Sequence, residues 1–229
     1  ASGEVFKGVI AATGEVVAVK VFRADVSPDG RTEEEVAIAC TVDHPHLTRV
    51  KGILASPSSH QPTLVMDLVP DAAPMAAKPT SQHLLRCKWA PDAAFSLSTV
   101  LKVAQGIASA LAYLHEHNIC HGDVYAHNIL LNGTTQHATL CDFGASFVYP
   151  AGQWFWEAME VRAYGLFLHD LVQRLDGGAT SAASSTAAPA GSSAGVQVLQ
   201  GLVDACLGPV PSVRPRFAVV ASKLTQMMG

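Results

Sequence analysis

Asp123, Asn128 and Asp142 are the residues whose types and separations could do chemistry. They stand in two runs, His121-Gly122-Asp123-Val124-Tyr125-Ala126-His127-Asn128 and Cys141-Asp142-Phe143-Gly144, with apolar strand-type residues between. A carboxylate such as Asp123 can accept the proton of an attacking hydroxyl. An asparagine oxygen and a second carboxylate can hold Mg²⁺, a hard cation that prefers oxygen ligands. Phosphoryl transfer from ATP needs these functions close together. Either aspartate alone would read as a turn or cap residue; the joint pattern points to chemistry on a phosphate.

Such groups need elements to hold them. Residues 5–10 and 15–22 alternate or run apolar around the turn signal Thr13-Gly14, which predicts a hairpin. Its second strand carries Val17-Ala18-Val19-Lys20, and a lysine there could simply snorkel. A loop at 26–30 leads to a helix from Thr32, with Thr32 as N-cap and Glu33, Glu34 and Glu35 favouring the positive end of its dipole. Val36, Ala39 and Val42 form its apolar side, and His44-Pro45 ends it. Strands are expected near 47–54 and 63–68, then a loop over 71–92 with at most one short helix. Val100, Val103, Ala104, Ile107, Leu111 and Leu114 follow a helical repeat that Ser96 or Ser98 can cap. A small hairpin over 129–131 and 138–140 separates the two chemical runs. Helices follow near 158–175, 196–206 and 216–228. Residues 177–195 are almost wholly Gly, Ala, Ser, Thr and Pro, the composition of a flexible insertion. A strand-rich first third and a helical remainder imply an α+β chain of two lobes with a cleft between them.

The two runs resemble the catalytic loop and metal-binding segment of the eukaryotic-type protein kinases. Lys20, Glu35, Asp123, Asn128 and Asp142 fall in that family's order, and Pro211-Ser212-Val213-Arg214-Pro215 resembles its segment before the last helix. The resemblance runs from Gly3 to Leu224. It implies a bilobal kinase-like fold: a small antiparallel β lobe with one helix over residues 1–66, and a mainly helical lobe over 67–229 that carries the insertion at about 177–195. It also implies roles. Lys20 would hold the α- and β-phosphates of ATP and Glu35 would orient it, Glu33 and Glu34 being the alternatives. Gly3 would be the last glycine of the glycine-rich loop, within Ser2-Gly3-Glu4-Val5-Phe6, and Val5 would cover the adenine. Ala18 and Leu130 would sandwich the ring, and Met66, Asp67 and Leu68 would form the hinge that hydrogen-bonds it. Asp123 would take the acceptor's proton, and Asn128 and Asp142 would bind Mg²⁺. His121 and Phe143 would be core, packing with Ala39 and Val50.

The pattern departs from the family in places. Gly122 replaces an arginine that reads an activation-loop phosphate, so that kind of gating loses its charge partner. Tyr125 stands where serine/threonine kinases have a lysine. His127 lies where tyrosine kinases often place an arginine; it is either a partial substitute when protonated or a neutral loop residue. Glu160 would replace the aspartate that anchors the catalytic loop. The usual Ala-Pro-Glu is absent, which leaves Arg214 without its partner, with Glu157 as a candidate.

Bulk properties narrow the class further. The 229 residues carry a formal net charge of −4, with no basic patch to advertise nucleic acid or anionic membrane. No uninterrupted apolar run of spanning length appears, so no membrane span is expected. Five scattered cysteines without a CxxC pair suit reduced thiols in an intracellular, cytoplasmic setting and argue against zinc. Cys141, beside the ATP site, is either a reactive thiol or a buried inert one. The chain lacks an initial Met and starts inside a motif, so a preceding segment is expected. Three readings stand: an ATP- and Mg²⁺-dependent kinase of protein hydroxyls, Ser/Thr ahead of Tyr; a pseudokinase scaffold binding nucleotide or partners; and a small-molecule kinase like the aminoglycoside and choline phosphotransferases.

Overall fold

Val16-Val17-Ala18-Val19-Lys20-Val21-Phe22 is β-branched at four of its seven positions, the composition that packs best on a pleated surface. It becomes the strand on which the first sheet is built. The computed structural model describes residues 3–28, 30–54, 62–81, 86–176 and 194–229; Ser2, Asp29, residues 82–85 of the expected loop and residues 177–193 of the expected insertion lie outside them. In chain order the elements are β1 (Gly3–Val9), β2 (Val16–Phe22), α1 (Thr32–Thr41), β3 (Val50–Leu54), β4 (Thr63–Asp67), β5 (Ala72–Pro74), α2 (Leu97–Glu116), β6 (Ile119–Cys120), β7 (Ile129–Asn132), β8 (Ala138–Leu140), β9 (Phe147–Val148), α3 (Trp154–Val172), α4 (Ala194–Leu207) and α5 (Phe217–Met228).

The first sheet runs β1-β2-β4-β3 with every neighbour antiparallel. Its register decides what the cleft sees. Val5 lies opposite Lys20, Lys20 opposite Leu64, and Ala18 opposite Met66. Directly opposed residues share a face, as do alternate residues along a strand. Val5, Ala18, Lys20, Leu64 and Met66 therefore belong to one face. The expected hairpin is present, with Gly14 at φ +72 in its turn.

The start of α1 departs from the expectation. Arg31 occupies the N-cap, and Thr32 is already helical, its hydroxyl donating to the Ala24 carbonyl at 2.7 Å. That bond ties α1 to the end of β2, which a local capping rule cannot foresee. The helix buries Glu35, Ile38 and Ala39, while Val36 is only partly covered. A buried acid in an apolar stripe blurs the helical period, so Ile38 was missed.

The expected loop after β4 contains a strand. β5 pairs with β7, which pairs with β8. Three residues ending in proline carry no period of their own, and their partners lie far off in sequence; proline is tolerated because β5 is at the sheet edge. Ala77 and Lys88 then exchange backbone hydrogen bonds of 2.8 and 3.0 Å, so no helix occurs in the described part of this segment.

Ser96 caps α2, its Oγ accepting from the Thr99 amide at 3.1 Å. By length and composition α2 could cross a membrane, but its apolar surface packs into the protein interior, chiefly against α5, β8, β6 and α3. Burial of Val100, Val103, Ala104, Ile107, Leu111 and Leu114 makes it the axis of the core. Tyr164 of α3 lies fully buried against it and donates from its phenol to the Ala104 carbonyl at 2.9 Å. α3 begins at Trp154, earlier than expected, because the aromatic run of Trp154, Phe155 and Trp156 masks the periodic signal. α4 begins at Ala194, so Gly195 belongs to a helix rather than to the insertion.

Candidate active site

An ammonium group is costly to bury without partners. Lys20 sits on a strand flanked by β1 and β4 and is only 6% exposed. Two carboxylates from different elements compensate it: Nζ donates to Glu35 Oε1 of α1 and to Asp142 Oδ1 at 2.9 Å. The Phe22 ring lies 5.2 Å from the ammonium. Burial pushes the Lys20 pKa down, but Asp142 and Glu35 outweigh it and leave the group above its ordinary value. Burial pushes Asp142 up, and the Lys20 charge more than reverses this, leaving Asp142 below the usual carboxylate range. Both groups are charged at neutral pH. Glu33 and Glu34 are exposed, so the choice among the three acids falls on Glu35.

The run from His121 to Asn128 hangs between β6 and β7. β6 pairs with β9, fixing one end, and a 3₁₀ turn over Ala126–Asn128 leads into β7. Asn128 is buried and donates from Nδ2 to the Asp123 carbonyl at 3.0 Å and to Asp123 Oδ2 at 2.7 Å. Cys141 N donates to the Asn128 carbonyl at 2.9 Å, which joins the two chemical runs. Asp142 follows at φ +70, a left-handed conformation that aspartate tolerates better than most residues. With its amide nitrogen engaged by Asp123, Asn128 keeps its amide oxygen as a donor atom, and Asp142 offers a carboxylate. This set of hard oxygens fits Mg²⁺.

The residues expected around a nucleotide are less uniform. Ala18 and Met66 share the Lys20 face, as does Val5, which is 61% exposed. Leu130 is partly exposed, whereas its neighbour Leu131 packs on the core. Asp67 ends β4 with its amide donating to the Arg49 carbonyl at 2.9 Å and its carboxylate on Lys51 at 3.0 Å, so it can offer a ligand at most its own carbonyl. Leu68 follows, partly exposed. Gly3 serves a tight strand pair: a Cβ there would stand 2.4 Å from the Val21 carbonyl oxygen.

Gly122 has a steric reason to be glycine. Its φ is +80, and a Cβ would lie 2.1 Å from the Ala145 carbonyl oxygen. Its amide donates to Glu160 Oε1 at 2.8 Å, while Glu160 Oε2 meets His115 Nε2 at 2.7 Å. Glu160 thus anchors the loop as expected, and His115 is a support that sequence reading missed. Gly122→Ala is expected to destabilise the protein by at least ~1–3 kcal/mol, read as a lower urea midpoint. An unchanged midpoint would show that this backbone is not strained by a side chain.

Neither Tyr125 nor His127 supplies a cation. Burial, followed by the charge of Asp123, pushes the Tyr125 phenol above its ordinary pKa. Burial lowers the His127 pKa more than Asp123 raises it, and Lys78 lowers it further. The His127 ring is held by Cys87, Sγ to Nδ1 at 3.3 Å, with Nε2 3.9 Å from Asp123 Oδ2. It is the neutral loop residue of the two expected kinds, and its ring partner is a thiol. Cys87, 40 residues away, gave no signal of this in the sequence. The Cys141 thiol is pushed up to about 12 by burial and donates to the Asn128 carbonyl at 3.1 Å, so it is the inert of the two expected kinds.

His121 is fully buried, 5.3 Å from the Phe143 ring, and burial lowers its pKa. His44, His46 and His127 are lowered as well, each with burial as the leading cause. The unfolded chain binds protons at these imidazoles below about pH 6.5, and the folded chain resists them. Stability is therefore present above that pH and is lost as pH falls through the lowered folded values. The urea midpoint should drop between pH 7 and pH 5; a rise over that interval would contradict the neutral state of these rings.

The expected Arg214–Glu157 ion pair is not formed. Glu157 turns towards His115, with Oε2 4.0 Å from Nδ1, while Arg214 donates to the Gly208 carbonyl from Nε (2.9 Å) and to the Ala158 carbonyl from Nη1 (2.8 Å). Packing around α3 sends the two side chains to different neighbours, which spacing along the chain could not show.

Comparison with known proteins agrees with this geometry. A family model described as the protein kinase domain matches residues 1–164. A probable serine/threonine-protein kinase of Dictyostelium discoideum is 29% identical over 98% of this chain and 15% of its own length. The melanoma receptor tyrosine-protein kinase of Xiphophorus maculatus is 30% identical over 67% of this chain and 12% of its own length. The chain thus spans less than a sixth of either relative. A buried lysine joined to one carboxylate on α1 and to another beside the His121–Asn128 run, inside an α+β fold that the family match covers through α3's Tyr164, supports one conclusion: this chain belongs to the protein kinase domain family.

Proposed function

We propose that the chain is an ATP- and Mg²⁺-dependent protein kinase domain that moves the γ-phosphate of ATP to a protein hydroxyl, serine or threonine in preference to tyrosine. The observation that carries this reading is the Glu35–Lys20–Asp142 bridge, which joins the first sheet to the segment that follows the Asp123–Asn128 loop. Lys20 holds ATP by its phosphates, positioned by Glu35. Val5, Ala18 and Leu130 supply apolar contact for the adenine, with Gly3 ahead of them and Met66, Asp67 and Leu68 as the hinge. Asp123, oriented by Asn128, accepts the proton of the acceptor hydroxyl. Asn128 and Asp142 would hold Mg²⁺, which when bound neutralises phosphate charge. Residues 1–66 form the small lobe and 67–229 the large one. Catalysis in such a site is mostly positioning and charge neutralisation.

The acceptor preference rests on the relative named as a serine/threonine kinase, whose alignment covers nearly the whole chain. The match to a protein kinase domain also favours a protein acceptor over a small molecule. The test is transfer of labelled γ-phosphate from Mg·ATP to degenerate peptides that present serine, threonine or tyrosine. Label on serine and threonine peptides supports the reading; label on tyrosine peptides alone reverses the preference. The neutral Tyr125 and His127 favour a second reading, a nucleotide-binding scaffold. Saturable ATP binding with no transfer to any acceptor would select it.

A further inference from the structure

A cavity of about 270 Å³ opens where α3 and α5 begin. Trp154, Glu157 and Ala158 line it from the first turn of α3, and Ser212, Arg214 and Arg216 from the turn that enters α5. Pockets for drug-sized ligands hold roughly 300–1,000 Å³, so this one suits one or two side chains better than a cofactor.

Its charge is unbalanced. Arg214 meets only backbone carbonyls, through Nε and Nη1, and neither Arg214 nor Arg216 forms an ion pair with a carboxylate among the described residues. Two helix N-termini adjoin the space. Gln153 caps α3 and Arg216 caps α5, neither through a side-chain hydrogen bond, so both present the positive end of their dipole. The acid in the wall, Glu157, is turned towards His115. Large apolar side chains stand exposed nearby in the chain: Trp154, Phe155 and Met159 on α3, and Val210 and Val213 before α5.

We propose that this cavity docks a carboxylate side chain carried on an apolar-flanked segment of a partner protein. The free face of the Arg214 guanidinium and the two helix ends receive the carboxylate, Arg216 closes over it, and the exposed apolar residues take its neighbours. Charge-assisted bonds of this kind are the stronger ones, and arginine forms them with good directionality. Glu157 in the wall disfavours a doubly charged phosphate. The proposal does not depend on the catalytic reading, since none of these residues belongs to the proposed active site.

The three tryptophans give a direct readout, because Trp154 lines the cavity while Trp89 and Trp156 do not. Uniformly ¹⁵N-labelled protein is titrated with acetyl-Leu-Glu-Leu-amide, with the same peptide carrying glutamine or phosphoserine in the middle, and with inorganic phosphate. The glutamate peptide is expected to move the Trp154 indole signal and to bind about tenfold more tightly than the glutamine peptide. Arg216→Gln, at an exposed position without a described side-chain bond, should weaken the glutamate peptide about threefold with the fold intact. Arg214→Gln should abolish binding; because Arg214 also ties two carbonyls, the Arg216 variant decides the matter if that protein unfolds. Equal binding of the glutamate and glutamine peptides, an unmoved Trp154 signal, or tighter binding of phosphoserine or phosphate would each overturn the proposal.

Discussion

Lys20→Met should reduce phosphoryl transfer by at least roughly 10²–10³-fold, the cost of losing a fixed charge aimed at developing negative charge. It should also lower stability by about 3–5 kcal/mol, the range for breaking a buried ion pair from one side. The two effects arise differently. The ammonium sits between a buried Glu35 and a partly exposed Asp142, and it keeps the Asp142 pKa low. Methionine fills similar space but leaves both carboxylates without the cation beside them. The double variant Lys20→Met/Glu35→Leu separates the effects. Replacing a buried pair by apolar side chains is often neutral, so its urea midpoint should recover most of the loss, while transfer stays at the single variant's level. If transfer returned with stability, Lys20 would be a packing element and its phosphate-holding role would fall.

Asp123→Asn is expected to lose activity without losing stability: kcat lower by about 10²–10⁴-fold, the usual worth of a positioned general base, with stability changed by under ~1 kcal/mol. Asn128 Nδ2 donates to both the Asp123 carbonyl and Oδ2. An asparagine oxygen can accept the same bond, so the loop keeps its shape and only the proposed proton acceptor is lost. KM for ATP should hold, because Asp123 is not among the residues proposed to bind the nucleotide. The measurement is steady-state transfer paired with urea denaturation. Retention of more than a tenth of wild-type kcat would place the proton's destination elsewhere. Matched losses of activity and stability would make Asp123 a structural residue of the loop.

Asp123, Asn128 and Asp142 could be read from the chain because their chemistry depends on residue type and short local separations. Lys20 was legible as a cation on an apolar strand, and Glu35 as one of three acids in a helix turn. Choosing among those acids required burial: Glu33 and Glu34 face solvent, whereas Glu35 lies under the first sheet beside Lys20. Helices with a strong apolar repeat and a capping serine, such as α2, were legible for the same local reason. β5 was not, since three residues acquire strand geometry only from a partner far along the chain. Local pattern determines elements whose stabilising contacts lie within a few residues, and it singles out the candidate reactive groups. Tertiary structure alone decided the pairings that span long separations: His127 with Cys87, Glu160 with His115, and Arg214 with backbone carbonyls in place of Glu157. A buried polar group takes whichever partner packing brings within hydrogen-bond reach, and sequence spacing does not record that choice.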